Sequence, residues 1–489
     1  MNRETCTTTP EEAFDPKGAP IPWQDSIGSI DSSRSWYVLA ILSLSYALAF
    51  IDRQLLNLIL DPIKHTLSVS DTELSLIQGA AFVLAYLVTA PLFGRLVDVT
   101  NRRNVLLFGI CAWSIFTAFC GRADTYVELF IARVGVGASE ACVFPVGCSL
   151  IGDYFSERRT PRAISIFMAS QWVGAGFSLV AGGLVIAFAN DMRLHFPLFE
   201  KLAGWQMAFV LVGLPGLLLA VAVLLTVREP TRKVMLKAAA DDRQFTIREA
   251  SAFLWANRGF YARIYIGVGM LAMVVLGMPA WAPSFLIRFH GVAPSLVGYR
   301  LGILAVVFGS TGVLLGPTVA RLLERRGHTD AQLRAAAFSM IGTFFFCAAI
   351  PLAPSPVTAL VAIAGAIFSF SLPIGIMAAA TQLCTPSRLR GSVASLYTFF
   401  SQLIGFGIGP TAIALVTDKV FGNPRMVGYS LGIVCCVASA LASWLIFAAL
   451  PHYRRMLQEE RYGGPGQTGT EISCDTRATG SSSNFLGRL

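Results

Sequence analysis

The chain alternates between long apolar segments and short polar turns, and twelve of the apolar segments are long enough to span a membrane as helices. Crossing the ~30 Å hydrocarbon core of a bilayer takes roughly 20 helical residues. A helix satisfies its own backbone hydrogen bonds, so it is the structure that such a segment adopts in lipid. The predicted spans are 35–60, 74–98, 104–122, 126–152, 163–189, 204–227, 261–288, 296–322, 333–353, 357–385, 391–417 and 427–450.

The longest polar interruption runs from Arg228 to about Phe260 and divides the twelve spans into six and six. This pattern predicts an all-α polytopic membrane protein with two pseudo-symmetric six-helix bundles, residues 35–227 and 261–453. The interruption itself, residues 228–260, is predicted to be a cytoplasmic linker. Its later part, FTIREASAFLW, sets apolar against charged positions at helical spacing, which indicates an amphipathic helix on the membrane surface.

The two ends of the chain are polar. Residues 1–34 contain four prolines and lack the basic start and apolar core of a signal peptide, so we predict a cytoplasmic N-terminal tail. Residues 454–489 are rich in Gly, Ser and Thr, which predicts a disordered cytoplasmic C-terminal tail. Lys and Arg concentrate in alternate loops, and the positive-inside rule then places both termini in the cytoplasm.

Composition supports a membrane protein and excludes other classes. Of the 489 residues, 54% are hydrophobic and 14% are charged, whereas a soluble protein has about 25% charged residues. The net charge of +9 comes from basic residues scattered between apolar segments, so we expect no nucleic-acid partner. The Cys and His residues form no cluster with metal-ligand spacing, and we predict no metal, no cofactor and no disulfide.

The two halves resemble each other at an offset of 231 residues along one helix of each. Transporters with internal repeats bind their substrates near the bilayer midplane, where the repeats meet. Two of the matched residues, Gln171 and Gln402, are therefore predicted to face a cavity; the alternative is that they form interhelical hydrogen bonds. The matched set is Arg159, Ala163, Ser170, Gln171, Gly174 and Gly176 with Arg390, Ala394, Ser401, Gln402, Gly405 and Gly407.

Four ionisable residues interrupt the apolar spans. Asp52 and Arg53 lie in the first span, and Arg133 and Glu140 lie in the fourth. Such residues are costly in a membrane and by default are functional candidates that face a cavity. Counting from the outer ends places Asp52 and Arg133 at similar depth, with Glu140 two turns deeper, about 10 Å at 1.5 Å per residue.

These four residues suggest proton coupling. A carboxylate in a low-dielectric cavity accepts a proton more readily than one in water, so Glu140 is the first candidate for the proton site and Asp52 the second. Arg53 and Arg133 are the candidates for substrate binding or charge pairing. The alternative is that the four form two static ion pairs that fix the packing of the first span on the fourth. Arg288, at the outer end of the seventh span, is expected to lie at the membrane interface.

Other classes of membrane protein lack support in the sequence. An ATP-driven transporter needs the phosphate-binding string G-x-x-x-x-G-K-[ST], which does not occur. A membrane enzyme needs a His/Asp/Glu or Ser/His constellation, and the isolated His residues supply none. A channel or receptor is disfavoured by the six-plus-six arrangement with charges inside the membrane.

The segment after the second span reads GRLVDVTNRR and resembles the signature of the major facilitator superfamily. Gly94, Asp98, Arg102 and Arg103 match that signature, whereas Val99 and Asn101 depart from it. The resemblance implies a cytoplasmic gating loop in which Asp98 pairs with an Arg of a neighbouring loop. The alternative is a solvated loop that only obeys the positive-inside rule.

Within that superfamily the chain is most similar to bacterial members of the Spinster-like group. The resemblance rests on FIDRQLLNLILDPIK, SDTELSLIQG, RVGVGASEA, the YF-x-E-R-R run, GWQMAF with GLPG, and REPTR, with FLIRFHG in the second half. It implies a twelve-helix rocker-switch transporter of the bacterial inner membrane. It also implies that Asp52, Arg53, Arg133 and Glu140 form the group's polar cluster for substrate binding and proton coupling.

The sequence is compatible with more than one class of substrate. Eukaryotic members of the group move lysophospholipids or sphingosine phosphates, so an amphiphilic or anionic organic solute is expected. A proton symporter of organic acids, such as hexuronates or aromatic acids, is the alternative. A drug exporter is disfavoured because Ser178 and Leu179 stand where the antiporter signature has Gly-Pro. We expect a monomer in the lipid bilayer, with a small-molecule substrate and protons as its other partners.

Overall fold

A computed structural model describes residues 31–156, 159–195, 202–230, 247–385 and 389–462. Twelve helices in these ranges are long and apolar enough to cross a membrane. They are α1 (Ser33–Leu67), α2 (Asp71–Val97), α3 (Arg102–Cys120), α4 (Tyr126–Tyr154), α5 (Arg162–Val180), α6 (Gly204–Thr226), α7 (Arg258–Arg288), α8 (Pro294–Arg325), α9 (Ala331–Ala349), α10 (Pro356–Leu383), α11 (Val393–Phe421) and α12 (Pro424–Gln458). The predicted fold class, twelve helices and no strand in the described ranges, is confirmed.

Several helices begin at side-chain caps. Ser70 and Glu73 form a capping box at the start of α2, and Thr125 and Glu128 form another at the start of α4. These polar residues satisfy the free N–H groups of the first turn, which the apolar residues that follow cannot do. The chain therefore turns at the polar residues and runs as a helix through each apolar segment.

The two bundles meet closely along one half of their length. There α5 packs against α8, α2 packs against α11, and α1 contacts α7. At the opposite end the helices pack within their own bundles. The last part of α4, Val143–Tyr154, lies against helices of the first bundle. The helical segment Arg390–Phe400, which contains the first part of α11, lies against α7 and α10. We call the closely packed end, which carries the α1–α2 turn, the joined end.

The contact between α2 and α11 includes π-helical turns in both helices, Leu76–Ala80 and Ser401–Ile408. A π-helical turn widens a helix locally and is frequent at functional sites. Only glycine fits at Gly79, because a Cβ there would lie 2.1 Å from the carbonyl oxygen of Phe406. The two backbones can therefore approach closely at the junction of the bundles.

The predicted boundaries differ from the structure at two places, and the helix predicted in the later part of the linker is present. The last helix continues to Tyr462, so the first residues of the predicted disordered tail are helical, and the remainder lies outside the described residues. The predicted linker contains a helix, Ile247–Ala256, whose Phe253 ring lies 5.7 Å from the ring of Tyr261. The helix at the end of α2 continues to Val99, so most of GRLVDVTNRR is helical rather than loop.

Candidate functional site

The four charged residues of the first bundle form two buried ion pairs between α1 and α4. Nη2 of Arg53 lies 2.7 Å from Oε2 of Glu140, and its Nε donates to the same oxygen at 2.8 Å. Nη1 of Arg133 donates to Oδ2 of Asp52 at 3.0 Å. Side chains on a helix lean toward its N-terminus, so Arg53 reaches back along α1 to the deeper Glu140. The similar depth predicted for Asp52 and Arg133 agrees with this contact.

These pairs lie in apolar surroundings and are incompletely hydrogen-bonded. Arg133 is fully buried, and its Nε and Nη2 find no partner among the described residues. The second oxygens of Asp52 and Glu140 are buried without a partner as well. The guanidinium of Arg53 lies 4.2 Å from the centre of the Phe82 ring, a favourable cation–π distance. Buried polar atoms left without a partner cost free energy, so these pairs call for an explanation other than stability.

A cavity of about 370 Å³ lies between the two bundles next to the Arg53–Glu140 pair. Both charged residues of its lining come from the first bundle, which also contributes phenol and amide groups. We call this side the charged wall: Tyr46, Arg53, Gln54, Tyr86, Glu140 and Gln171.

The second bundle contributes a mainly apolar wall to the same cavity. Its polar lining comes from α11, in Tyr397, Ser401 and Gln402, and none of these side chains is charged. We call the remaining side the apolar wall: Val268, Leu271, Leu276, Ile363, Ile367 and Phe370. An apolar cavity with a few convergent polar groups is the usual form of a small-molecule site.

The cavity contains most of the residues that the sequence singled out inside the membrane. Glu140, Arg53, Gln171 and Gln402 line it. Gln171 accepts a hydrogen bond of 3.4 Å from the hydroxyl of Tyr46. Asp52 and Arg133, in contrast, lie behind the lining and contact the cavity only through their neighbours.

The sequence missed Gln54, which also lines the cavity. Its position in the intramembrane run of polar residues at 52–54 was a signal that could have identified it. An uncharged amide is less conspicuous in an apolar span than the charged residues beside it.

The residues of the predicted gating loop occupy a different setting from the one expected. Gly94 and Asp98 lie in the α-helix Ala81–Val99, which forms the second part of α2 and continues two residues beyond it. The side chain of Asp98 is outside the described part of the structure. Arg102 is buried at the start of α3, where Nε lies 2.6 Å from Oε1 of Glu229 and Nη1 contacts Asp153. The backbone N–H of Arg103 donates to Oε2 of Glu229 at 3.0 Å. Arg102 thus ties α3 to α4 and to the beginning of the linker.

At the joined end, Arg288 pairs with two carboxylates, and its predicted position at the membrane interface stays a prediction. Its Nε lies 2.5 Å from Oδ1 of Asp61, and its Nη1 lies 2.6 Å from Oδ2 of Asp71. A second bond crosses the bundles there, because Oγ1 of Thr72 donates to Oδ2 of Asp418 at 2.7 Å. Asp71 is fully buried, so the Arg288 contacts are shielded from solvent.

No group of three or more His, Cys, Asp or Glu that could hold a metal ion occurs in the part of the chain that the structure describes. The polar lining of the cavity consists of one guanidinium, one carboxyl group, three amides and several hydroxyl groups. Such groups bind a solute and exchange a proton, and they contain no apparent nucleophile paired with a base.

Comparison with known proteins identifies relatives over nearly the whole chain. A protein named MFS-type efflux pump, from Mycolicibacterium smegmatis, is 23% identical over 441 residues, which cover 87% of this chain and 95% of that protein. Protein spinster homolog 1 of Homo sapiens is 26% identical over 420 residues, covering 81% and 76%. A protein named "Probable L-galactonate transporter", from Escherichia coli, is 24% identical over 472 residues, covering 91% and 97%.

Solved structures share the fold. The crystal structure of a bacterial homolog to the human lysosomal transporter Spinster, inward-facing and unoccupied, superposes with a TM-score of 0.72 at 24% identity, covering 88% of this chain and 98% of that one. The D-xylose-proton symporter superposes with a TM-score of 0.67 at 14% identity, covering 86% and 99%. The model of the Major Facilitator Superfamily matches residues 42–410, well over half of the chain. The chain therefore belongs to the major facilitator superfamily and is a membrane transporter rather than an enzyme, and Spinster homologs are among the proteins to which it is similar.

Proposed function

We propose that this transporter moves an amphiphilic organic anion by alternating access, and that a proton gradient drives it. The observation that carries the proposal is the contrast between the charged wall and the apolar wall of one cavity. An amphiphile has an anionic head that suits Arg53 and an apolar body that suits the second bundle. A purely polar solute would leave the apolar wall without a favourable partner.

Proton coupling follows from competition for Arg53. Its guanidinium contacts the Glu140 carboxylate at 2.7 Å and has no second carboxylate partner among the described residues. Protonation of Glu140 removes the negative charge that holds Arg53, and the guanidinium can then bind the anionic group of a substrate. Release of the proton restores the internal pair and expels the anion. Substrate and proton are therefore expected to move in the same direction, as in a symporter.

The proposed setting is the bacterial cytoplasmic membrane, with both termini in the cytoplasm. In that orientation the joined end faces outward, and the structure corresponds to the state that is closed to the outside. Alternating access then requires the contacts of Arg288 and Asp418 across the bundles to break. We propose that the monomer is the transporting unit, because one chain supplies both walls of the cavity.

A proton symporter of polyhydroxy or aromatic acids is the second candidate. It is supported by the similarity to the "Probable L-galactonate transporter" and by Gln171 and Gln402, whose amides could bind hydroxyl groups. Arg53 would hold the carboxylate in that case. The apolar wall favours the amphiphile, because six large apolar side chains contribute little to binding a sugar acid.

Transport by the purified protein in liposomes distinguishes these candidates. The probes are oleoyl lysophosphatidate, mono-oleoylglycerol, which has the same body without the phosphate, and galactonate. Albumin extraction reports which leaflet the lipids occupy. We expect saturable movement of lysophosphatidate that depends on a proton gradient, with little movement of mono-oleoylglycerol or galactonate.

The outcomes separate the two candidates clearly. Transport of galactonate in preference to lysophosphatidate would establish the second candidate instead. Equal movement of lysophosphatidate and mono-oleoylglycerol would contradict a role for Arg53 in recognising the anionic group. Transport of lysophosphatidate that persists unchanged after a protonophore collapses the gradient would contradict proton coupling.

A further inference from the structure

Three amide side chains form a continuous chain of hydrogen bonds from the cavity to the opposite bundle. Nδ2 of Asn57 donates to Oε1 of Gln54 at 2.7 Å, and Nε2 of Gln78 donates to Oδ1 of Asn57 at 2.8 Å. Nε2 of Gln78 also donates to the backbone carbonyl of Ala280, at 3.4 Å. Gln54 lines the cavity, whereas Asn57 and Gln78 are buried behind it. We call these three residues the amide relay.

The carbonyl of Ala280 determines the direction of every bond in the relay. A carbonyl oxygen only accepts hydrogen bonds, so Gln78 must present its NH₂ group to α7. The second hydrogen of that group then meets the oxygen of Asn57, and the NH₂ of Asn57 must point to the oxygen of Gln54. With its oxygen engaged in this way, Gln54 presents N–H donors to the cavity.

If the three amides served only to stabilise the fold, each would be expected to use both its NH₂ donor and its carbonyl acceptor. Instead Nε2 of Gln78 serves two acceptors, while its Oε1 is buried with no partner among the residues that the structure describes. A buried acceptor without a partner costs free energy, and such groups in native proteins call for an explanation. A fixed orientation of the relay supplies one, because the unpaired oxygen is the consequence of directing both hydrogens toward Asn57 and Ala280.

We propose that Gln54 is an anion-binding residue of the transporter and that Asn57 and Gln78 are positioning residues that hold its amide with the donors toward the substrate. The inference rests on the proposed function, because it assigns a second partner, next to Arg53, to the anionic group of the substrate. An ionised phosphate or carboxylate oxygen accepts a stronger hydrogen bond from an N–H donor than a neutral hydroxyl group does, so an anion is favoured at this position. The relay adds selectivity for the anion without adding a further buried charge.

The amide relay also makes binding of the anion depend on whether the transporter is closed or open at the joined end. Gln78 lies in the π-helical turn of the first bundle, and Ala280 belongs to α7 of the second bundle. Their contact lies on the side of the joined end and must lengthen when the bundles separate there. Gln78 then loses the acceptor that orients it, so Gln54 is free to turn. The transporter consequently binds the anion more tightly in the state closed at the joined end.

Equilibrium binding of oleoyl lysophosphatidate and mono-oleoylglycerol to the purified full-length protein tests the relay. Asn57→Asp is nearly isosteric and lies outside the cavity lining, but a carboxylate cannot donate to Gln54. Gln54 then turns its NH₂ group away from the substrate. We expect the affinity for lysophosphatidate to fall about tenfold, because a hydrogen bond to a charged group is typically worth that much, while mono-oleoylglycerol binding is unchanged.

Two further variants separate orientation from added charge and from misfolding. Asn57→Leu removes the orienting bond without a charge, and we expect roughly a threefold loss for lysophosphatidate alone, because Gln54 is then free to turn. Gln54→Glu lies in the open cavity and reverses the donor directly, so about a tenfold loss is expected even if both Asn57 variants fail to fold.

The controls keep this inference distinct from the proposed function. If the wild-type protein binds the two lipids equally, the proposed function itself is wrong. If the wild type prefers lysophosphatidate and Asn57→Leu or Gln54→Glu keeps that preference, the amide relay has no role in recognition. A parallel loss of both lipids in every folded variant would also overturn it, because it would indicate a general loss of structure.

Discussion

The two walls of the cavity come from bundles of the same fold, yet they differ in chemistry. The first bundle contributes Arg53, Glu140 and the amide of Gln54, whereas the second contributes mostly aliphatic and aromatic side chains. Buried ion pairs stabilise a protein poorly, so their retention on one side indicates a functional demand there. The difference suggests a division of labour in which one bundle handles charge and the other accommodates the body of the substrate.

The largest effect is expected from breaking the charged wall. Arg53→Gln removes the group that pairs with Glu140 and with the proposed anion. Transport of lysophosphatidate in liposomes should fall about a hundredfold, because a buried charge-assisted contact is lost at the centre of the site. Arg95→Gln, at an exposed position of α2, is the control and should transport as the wild type does. Retention of a third or more of the activity by Arg53→Gln would remove Arg53 from the binding site.

The second largest effect is expected from breaking the contacts that hold the two bundles together at the joined end. Arg288→Ala removes the partner of Asp61 and Asp71 and should shift the population toward a state open at the joined end. A cysteine placed at Ala282, a buried position of the cavity lining, should react with an impermeant thiol reagent from outside about tenfold faster.

Arg300→Ala provides the matched control for this experiment. Arg300 lies at the same end of the second bundle, on α8, and forms no ion pair with a carboxylate of the described part of the chain. Its substitution should leave the labelling rate unchanged. Equal acceleration by both substitutions would mean that the Arg288 contacts do not control access.

The apolar wall should show a smaller and more selective effect. Leu276→Asn places an amide where the body of an amphiphile is proposed to lie. Lysophosphatidate transport should fall about fivefold, which corresponds to part of the transfer free energy of one buried aliphatic side chain. Leu276→Met preserves apolar volume and should have little effect. If the Asn variant transports lysophosphatidate normally, the substrate does not contact this wall.

The smallest effect is expected from Gln171, on the charged wall but held by one long hydrogen bond. Gln171→Leu removes the 3.4 Å contact with Tyr46 and should reduce lysophosphatidate transport by about twofold. Galactonate binding, measured in parallel, reports on the second candidate function. A loss for galactonate alone would assign Gln171 to recognition of hydroxyl groups and weaken the comparison between the two walls.

The sequence predicts the fold well because hydrocarbon length and backbone hydrogen bonding leave an apolar segment few alternatives. It also singled out Asp52, Arg53, Arg133 and Glu140 because charge inside a membrane is conspicuous. The pairing of Arg53 with Glu140 rather than with a nearer acid depends on side-chain direction, which spacing alone does not give.

Contacts between segments that are far apart in the chain could not be predicted from the sequence. Arg288 reaches Asp61 and Asp71 over more than two hundred positions of the chain, and no local pattern marks that contact. Gln54 is an uncharged residue whose importance appears only when Gln78 and Ala280 are placed beside it. The turn after α2 is also shorter than the signature segment suggests: Gly94–Val99 are helical because nothing in that stretch stops a helix before Thr100.

If Glu140 couples the charged wall to protons, its substitution must change proton flux as well as lysophosphatidate movement, and the two can be recorded simultaneously. The wild type, Glu140→Gln and the control Glu128→Gln, in the capping box of the same helix, are compared in liposomes. We expect Glu140→Gln to keep exchange of lysophosphatidate but to lose both the accompanying proton flux and gradient-driven accumulation, whereas Glu128→Gln keeps all three. Accumulation by Glu140→Gln with an unchanged dependence on the proton gradient would contradict this coupling.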